Sequence, residues 1–473
     1  MRHKIVTRAV ASLLGASALS CCAIPPELAT LPKPRAAASY QTEASFAAPA
    51  REWPAGRWWT SYGDAQLNDL IEEALRNNPT MAQASARLRK AEALVGNANA
   101  ASLPSISADG SFSVSKPSTE DGIPVLPIRQ GYHDYGRVIL GFSWELDFWG
   151  KNRAAISAAI SDAEVARADI AAASLLISIS IAATYADLAR LYADHDVLAD
   201  TLQIREKSLA LVAARVKYGF DSEADLAQAE AGPPAARSDL AAADEAIGLT
   251  RNRLAALLGA GPDCGLAIAR PPRVSLKPLG LPAKIPADLL GRRPDIIAAK
   301  WRVEAAANRI KVAHAQFYPN INLLGLIGFE ALGIGNLLNG GADIGAAGPA
   351  ISLPLFDGGR RRASYRGARA DYEASVALYD ETVTEALRDV ADVTVGMRQL
   401  QTELTEAQSA LSATERAYRL AQLRYKAGAA DYQSVLLIED RLLVRRRIVS
   451  ALASRSFIFD VALIRSLGGG VLH

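Results

Sequence analysis

The sequence predicts a mixed membrane protein, internally duplicated, in which each chain contributes four β-strands to a shared β-barrel continuous with a long α-helical coiled-coil barrel. Three observations carry this reading. From Val138 to Phe148, apolar Val138, Leu140, Phe142, Trp144, Leu146 and Phe148 alternate with Gly141, Ser143, Glu145 and Asp147, the period of a strand with one apolar face. From Lys151 to Tyr218 there is neither proline nor glycine, so one helix of about 100 Å can follow. The same design then recurs in the second half of the chain.

Composition narrows the class. Half of the 473 residues are hydrophobic but only 6% are aromatic, which suits long helices better than stacked globules. The net charge of +2 is spread over helix faces with acids and bases interleaved, and it gives no support to nucleic-acid binding. No metal-ligand spacing, phosphate-cradling loop or nucleophile elbow occurs, so neither a cofactor nor an enzyme activity is expected. The one tempting polar cluster is Asp194-His195-Asp196, where His195 falls in a helix seam and is read as setting register.

Residues 1–21 read as a secretory signal of lipoprotein type. Arg2, His3, Lys4 and Arg8 precede an apolar run from Ala9 to Leu19, closed by Leu19-Ser20-Cys21-Cys22. Leu19 lies three residues before Cys22, which makes Cys22 rather than Cys21 the expected lipidated residue; a plain signal with incidental cysteines is the alternative. Cys264 is then the remaining cysteine, expected as a dry buried thiol. Residues 22–60, with Pro25, Pro26, Pro32, Pro34 and Pro49, form an extended arm tying the anchor to the body.

The first copy occupies residues 61–261. Leu67 to Asn97 is an amphipathic helix in two pieces, divided at Pro79. After Pro104, residues 105–114 alternate strictly, with Ile106, Ala108, Gly110, Phe112 and Val114 on one face, and about ten residues suffice for a tilted membrane strand. A polar loop leads to the second strand, 138–148. The long helix has a heptad seam through Ile181, Leu188, His195, Leu202, Leu209 and Val216, so it packs lengthwise against others. It turns near Gly219, and Ser222 with Asp225 three residues on fits the N-cap of a return helix. Gly232-Pro233-Pro234 should break or kink that helix. Ile170 to Ala186 is uncharged but short and rich in small residues, and is assigned to the rod rather than to a membrane span.

A proline-rich connector, 262–286, precedes the second copy, 287–473. Pro294, Ala299, Arg302 and Pro319 follow Pro79, Ala84, Arg87 and Pro104 at an offset of 215. Strands are expected at 320–329 and 349–356. One shorter loop reduces the offset to 209, after which Arg362 matches Arg153 and Gly428, the second turn, matches Gly219. Four strands cannot close a barrel, because the smallest membrane barrels have about eight and an open edge in hydrocarbon leaves unpaired backbone groups. The barrel must therefore be pooled: three copies supply twelve strands and six long rods, in ring closure.

Several motifs carry a resemblance. Trp58-Trp59-x-x-Tyr62-x-Asp64-x-x-Leu67, Arg292-Arg293-Pro294-Asp295-Ile296, Phe317-Tyr318-Pro319, Leu353-Pro354-Leu355-Phe356-Asp357-Gly358-Gly359-Arg360 and Arg424-Tyr425-x-x-Gly428 resemble the outer-membrane efflux protein family, lipoprotein branch, over the whole mature chain. The resemblance implies a homotrimer with a twelve-stranded β-barrel in the outer membrane and a helical tunnel across the periplasm. It implies partners: a periplasmic adaptor and an inner-membrane efflux transporter, here of the resistance-nodulation-division type. A type I secretion conduit on the same fold, or a soluble coiled-coil scaffold, are the alternatives. It also places a gate at the two helix turns, where Asp225 and Tyr425 match linking positions and a Tyr425 hydroxyl to Asp225 bond is expected. Gly219, Phe220, Asp221, Gly428, Ala429 and Ala430 are the turn residues an adaptor would contact. Ser434 and Leu437 stand where relatives often place pore-facing acids; Asp431 reads as an N-cap, and Glu439 or Asp440 faces the lumen or water. Trp144, Phe148, Trp149, Phe317, Tyr318 and Phe356 at strand ends suit an interfacial aromatic belt.

Overall fold

A computed structural model describes residues 29–46, 52–116, 118, 131–272, 281, 285, 289 and 291–470. Cys21 and Cys22, the candidate lipidation sites, lie outside the described residues. The elements follow in the order α1 Ala65–Asn77, α2 Pro79–Ala100, β1 Ser105–Ser115, β2 His133–Glu145, α3 Lys151–Lys217, α4 Glu223–Leu258, the short α5 Asp263–Leu266, α6 Pro294–Ala315, β3 Asn320–Leu332, β4 Asp343–Ser352, α7 Arg360–Lys426 and α8 Tyr432–Ser466. The duplication is visible in the backbone. Helices α2 and α6 start and end 215 residues apart, and α3 and α7, each of 67 residues, start and end 209 apart. Two compact units result, one containing Leu88–Ala166 and Ala299–Tyr379, the other Arg35–Arg87, Arg167–Ala298 and the chain from Asp380 onward.

The first unit is built on an antiparallel sheet in the order β1-β2-β3-β4. Register sets the two faces apart. Ile106, Ala108 and Gly110 pair with Phe142, Leu140 and Val138, which pair with Gly325, Ile327 and Phe329, giving an apolar face with Asp134 and Asp343 only at its end. Ser111, Arg137 and Glu330 form a row on the other face, with Arg137 Nε 3.6 Å from a Glu330 carboxylate oxygen. Among the described residues, β1 and β4 each have one edge without a strand partner. The apolar face is left open, with Ile106 75% and Ile327 64% exposed.

Strand ends differ from the sequence expectation. Strand β2 begins earlier than residue 138 and stops at Glu145, and β4 covers Asp343–Ser352 rather than 349–356. The carboxylates beyond the strands explain both stops. Asp147 turns to the start of α3 and accepts from the backbone N–H of Asn152 and Arg153, at 3.2 and 2.9 Å. Asp357 accepts from the N–H of Gly359 and Arg361 at the start of α7, and Pro354 has no N–H to give a ladder. The aromatic belt is also incomplete: Phe148 and Phe356 are exposed, but Phe317 is buried against Tyr365 and the Arg361 guanidinium.

The arm follows α7. Arg369 donates to the Ala29 carbonyl and Tyr372 to that of Pro32 within the first unit; within the second, the Arg35 N–H donates to Asp380 at 2.9 Å.

In the second unit the motif residues are core and capping groups. Trp58 and Trp59 are buried with Tyr62 and Phe457, and Tyr62 donates to Asp460. Asp64 caps α1 through the Leu67 N–H and accepts the buried Tyr185 hydroxyl at 2.8 Å. Arg293 bridges Asp295, Asp389 and the Ser466 carbonyl. Helix α3 contains the one stretch, among the described residues, long and apolar enough to cross a membrane; its Ile177, Ile181, Tyr185 and Leu188 are packed in this core. Cys264, expected buried, is exposed. Its neighbour Gly265 takes the inner position instead, where a Cβ would lie 2.8 Å from the Arg251 carbonyl.

Of the break or kink expected at Gly232-Pro233-Pro234, the break does not occur: α4 is one helix with both prolines inside it. Gly232 has a packing role. A Cβ there would stand 3.1 Å from Arg205 Cδ on α3, so its absence lets the arginine stem cross against α4.

Candidate functional site

The two helix turns are built alike. In the first, Gly219 is left-handed at φ 75°, its N–H donates to the Val216 carbonyl, and the Phe220 N–H reaches back to Arg215. In the second, Gly428 is also at φ 75°, and the N–H groups of Gly428 and Ala429 bond Tyr425 and Arg424. Both return helices are then capped by a side-chain oxygen. Ser222 and Asp225 form a capping box, with the Ser222 N–H donating to Asp225 at 3.0 Å and the Asp225 N–H to Ser222 Oγ at 3.2 Å. Asp431 accepts from the Ser434 N–H at 2.9 Å.

These caps redirect the expected contact. Within the chain, the Tyr425 hydroxyl donates to Asp221 at 2.5 Å, not to Asp225, whose carboxylate is held by Ser222. Arg215 completes the group: its Nε donates to the same Asp221 oxygen at 2.9 Å, and its guanidinium lies 4.6 Å from the Tyr425 ring centroid. Burial opposes the charge on Asp221, but the bonds from Arg215 and Tyr425 outweigh it and hold the carboxyl below its ordinary range. Burial, reinforced by Asp221, pushes the Tyr425 hydroxyl up, so it remains a donor at any physiological pH. Sequence reasoning had Asp221 only as a turn residue and missed Arg215: the Arg215–Asp221 pair spans only six residues, but both groups meet Tyr425 across 204 and 210 positions of sequence. Phe220 is 71% exposed beside Arg215, and Gly219, Gly428 and Ala429 are exposed around it.

A second polar cluster lies further along the same hairpins. Glu439, read as facing lumen or water, is fully buried. Arg205 Nε stands 2.9 Å from one of its oxygens, and the Tyr418 hydroxyl donates to the other at 3.2 Å. Arg205 also reaches Asp440, whose side chain is 60% exposed. Burial raises the Glu439 carboxyl, with Arg205 and Tyr418 pulling the other way. Ser434 and Leu437 are exposed. His195, expected to set register, lies 3.4 Å from Asp244 on α4. Among the described residues no group of His, Cys, Asp and Glu could hold a metal.

An apolar sheet face with two open edges, carried on long hairpins whose turns are tied by charged hydrogen bonds, has the parts of a membrane channel subunit. The chain belongs to the outer membrane efflux protein family, whose model matches residues 70–260 and 285–469, one segment for each copy. It is 39% identical over 331 residues to the fusaric acid resistance protein FusA of Burkholderia cepacia, covering 67% of this chain and 60% of that relative. It is 29% identical over 425 residues to the multidrug resistance outer membrane protein MdtP of Escherichia coli K12, covering 88% and 87%. Among solved structures, the outer membrane protein VceC of Vibrio cholerae has 41% identity and a TM-score of 0.83, covering 88% of this chain and all of that one. The outer-membrane channel OprN has 27% identity and a TM-score of 0.84. Fold class, family and place in the outer membrane thus agree with the reading of the sequence, and family and fold are those of channels rather than enzymes.

Proposed function

We propose that three copies of this chain form the outer-membrane exit duct of a tripartite efflux pump, passively conducting small toxic compounds delivered by an inner-membrane transporter through a periplasmic adaptor. The single observation that carries the trimer is the four-strand sheet with both edges unpaired and a face apolar along its middle rows, which is stable in lipid only if β4 of one copy pairs with β1 of the next. The resistance and efflux names of the relatives support the cargo class. The adaptor docks at the turns Gly219-Phe220-Asp221 and Gly428-Ala429-Ala430, whose exposed residues are Gly219, Phe220, Gly428 and Ala429, and Asp221, Tyr425 and Arg215, with Asp225 beside them, form the gate. A lipid on Cys22 holds the arm at the membrane.

The test is the mass of the detergent-extracted protein by light scattering, followed by conductance in planar bilayers. A trimer that conducts is expected. A stable monomer would leave both sheet edges unpaired in lipid and would sink the duct reading.

A further inference from the structure

In the first unit, where β2 and β4 end and β3, α3 and α7 begin, lies a cavity of about 500 Å³. Its strand residues Glu145, Asn320 and Ser352 all belong to the polar face of the sheet, which lines the duct if the proposed function holds. One wall is aromatic. The Trp149 ring stacks on Tyr318, with centroids 4.7 Å apart and planes at 18°, and its indole N–H is fixed by the Pro319 carbonyl at 2.8 Å. Trp149 remains 49% exposed, so the stack presents an open face.

The other wall is cationic, and the charges there are unequally committed. Glu145 neutralises Lys151 at 2.6 Å, while Asp147 is taken up by the start of α3 and by Arg153. Asp357 accepts from Arg361 Nε at 2.8 Å. What remains is Arg360, exposed and with no side-chain bond among the described residues, and Arg361. Arg361 is only 6% exposed, packs its guanidinium over Phe317, and has a buried Nη1 with no hydrogen-bond acceptor. A buried guanidinium N–H without an acceptor is unfavourable, and a small side-chain movement that turned Arg361 Nη1 toward the cavity would let an incoming oxyanion relieve that cost. The N-termini of α3 and α7, both at this cavity, add positive potential.

We propose that this cavity is a resting site for an anionic aromatic solute in transit, its carboxylate taken by Arg360 and Arg361 and its ring by Trp149 and Tyr318. The inference rests on the duct reading, which places cargo at this face. The full-length detergent-extracted protein is titrated with 1-naphthoate, with neutral 1-naphthol and with inorganic phosphate, by calorimetry, as wild type and as Arg360→Gln and Trp149→Leu. Both replaced side chains are exposed, so folding is not at stake. Saturable naphthoate binding is expected, weakened about tenfold by either replacement, which is the weight of one charge-assisted hydrogen bond or one stacked ring. Naphthol and phosphate should each bind at least about tenfold more weakly than naphthoate. Equal binding of naphthoate and naphthol, equal binding of naphthoate and phosphate, or affinity unchanged in Arg360→Gln overturns the proposal. Conductance of the same preparation separates the two ideas: a conducting trimer without naphthoate binding removes this site and leaves the duct.

Discussion

Asp221 and Glu439 are acids on the same pair of hairpins whose environments act in opposite directions. The folded Asp221 carboxyl sits below its ordinary 3.8, so the stability it contributes is present at neutral pH and lost only as pH falls through that depressed value. The folded Glu439 carboxyl sits above its ordinary 4.5, so its contribution is full in acid and declines as pH rises past 4.5 through the raised value. Replacing Glu439 with Gln should therefore flatten the gain in thermal midpoint on going from about pH 7 to about pH 5. A gain of unchanged size would show that Glu439 does not titrate there. Arg205 is the partner that makes the buried charge tolerable. Arg205→Leu should lower stability by about 3–5 kcal/mol by stranding that carboxylate, and adding Glu439→Leu should recover most of the loss; simple additivity of the two effects in a double-mutant cycle would argue against coupling. At the turns, Tyr425→Phe removes the donor to Asp221 and leaves Arg215 to hold it alone. The expected outcome is increased entry of a hydrophilic antibiotic in a susceptibility assay, with Asp225→Ala weaker in effect because that carboxylate serves its own cap.

At the scale of elements, the helices were largely legible and the strand ends were not. Prolines at 79 and 294, glycines at 219 and 428 and the caps at 222 and 431 are local signals, and the helices start and stop at them. Strand ends depend on a competition that local pattern does not record: the apolar alternation runs on to Phe148, but Asp147 is worth more as an acceptor for the N–H groups of α3 than as a strand residue. The return helix was expected, but its continuity through Gly232-Pro233-Pro234 was not legible, since the glycine's use lies across the hairpin at Arg205. Sheet register makes its own demand at Gly328, where a Cβ would fall 2.2 Å from the Val138 carbonyl oxygen and 2.7 Å from Ile139 Cα. Gly328→Ala must push β2 and β3 apart. The yield of heat-resistant assembled protein on a gel should drop sharply, whereas Gly348→Ala, with nothing within 4 Å, should leave it unchanged. Equal yields would mean the sheet yields more easily than its backbone contacts suggest.

For the whole molecule, the lipid call can be joined to the count of reactive thiols. If Cys22 becomes the lipidated N-terminus, Cys264 is the remaining thiol of the mature chain, and it is exposed. Palmitate labelling should be lost in Cys22→Ala and kept in Cys21→Ala, and maleimide should add one label per chain to the native monomer unit and none to Cys264→Ser. Label persisting in Cys264→Ser would mean that Cys22 keeps a free thiol. Both outcomes are read on the assembled protein, whose expected trimer mass is the separate test of closure.

The sequence by itself determined the duplication, the long helices, the four strands, the two turns and, through strand number, the need to pool a barrel. These follow from periodicity, from proline and glycine, and from the cost of unpaired backbone in lipid, all of which act over a few residues or on a simple count. Only the tertiary structure decided which acid meets Tyr425, that Glu439 is buried rather than facing water, that Phe317 is core and Cys264 is not, and that Arg361, with a buried N–H lacking an acceptor, lies beside a cavity. Each of those depends on groups brought together by packing between elements, or turned in or out by it, and neither composition nor spacing encodes which side chain will be nearest when the helices close.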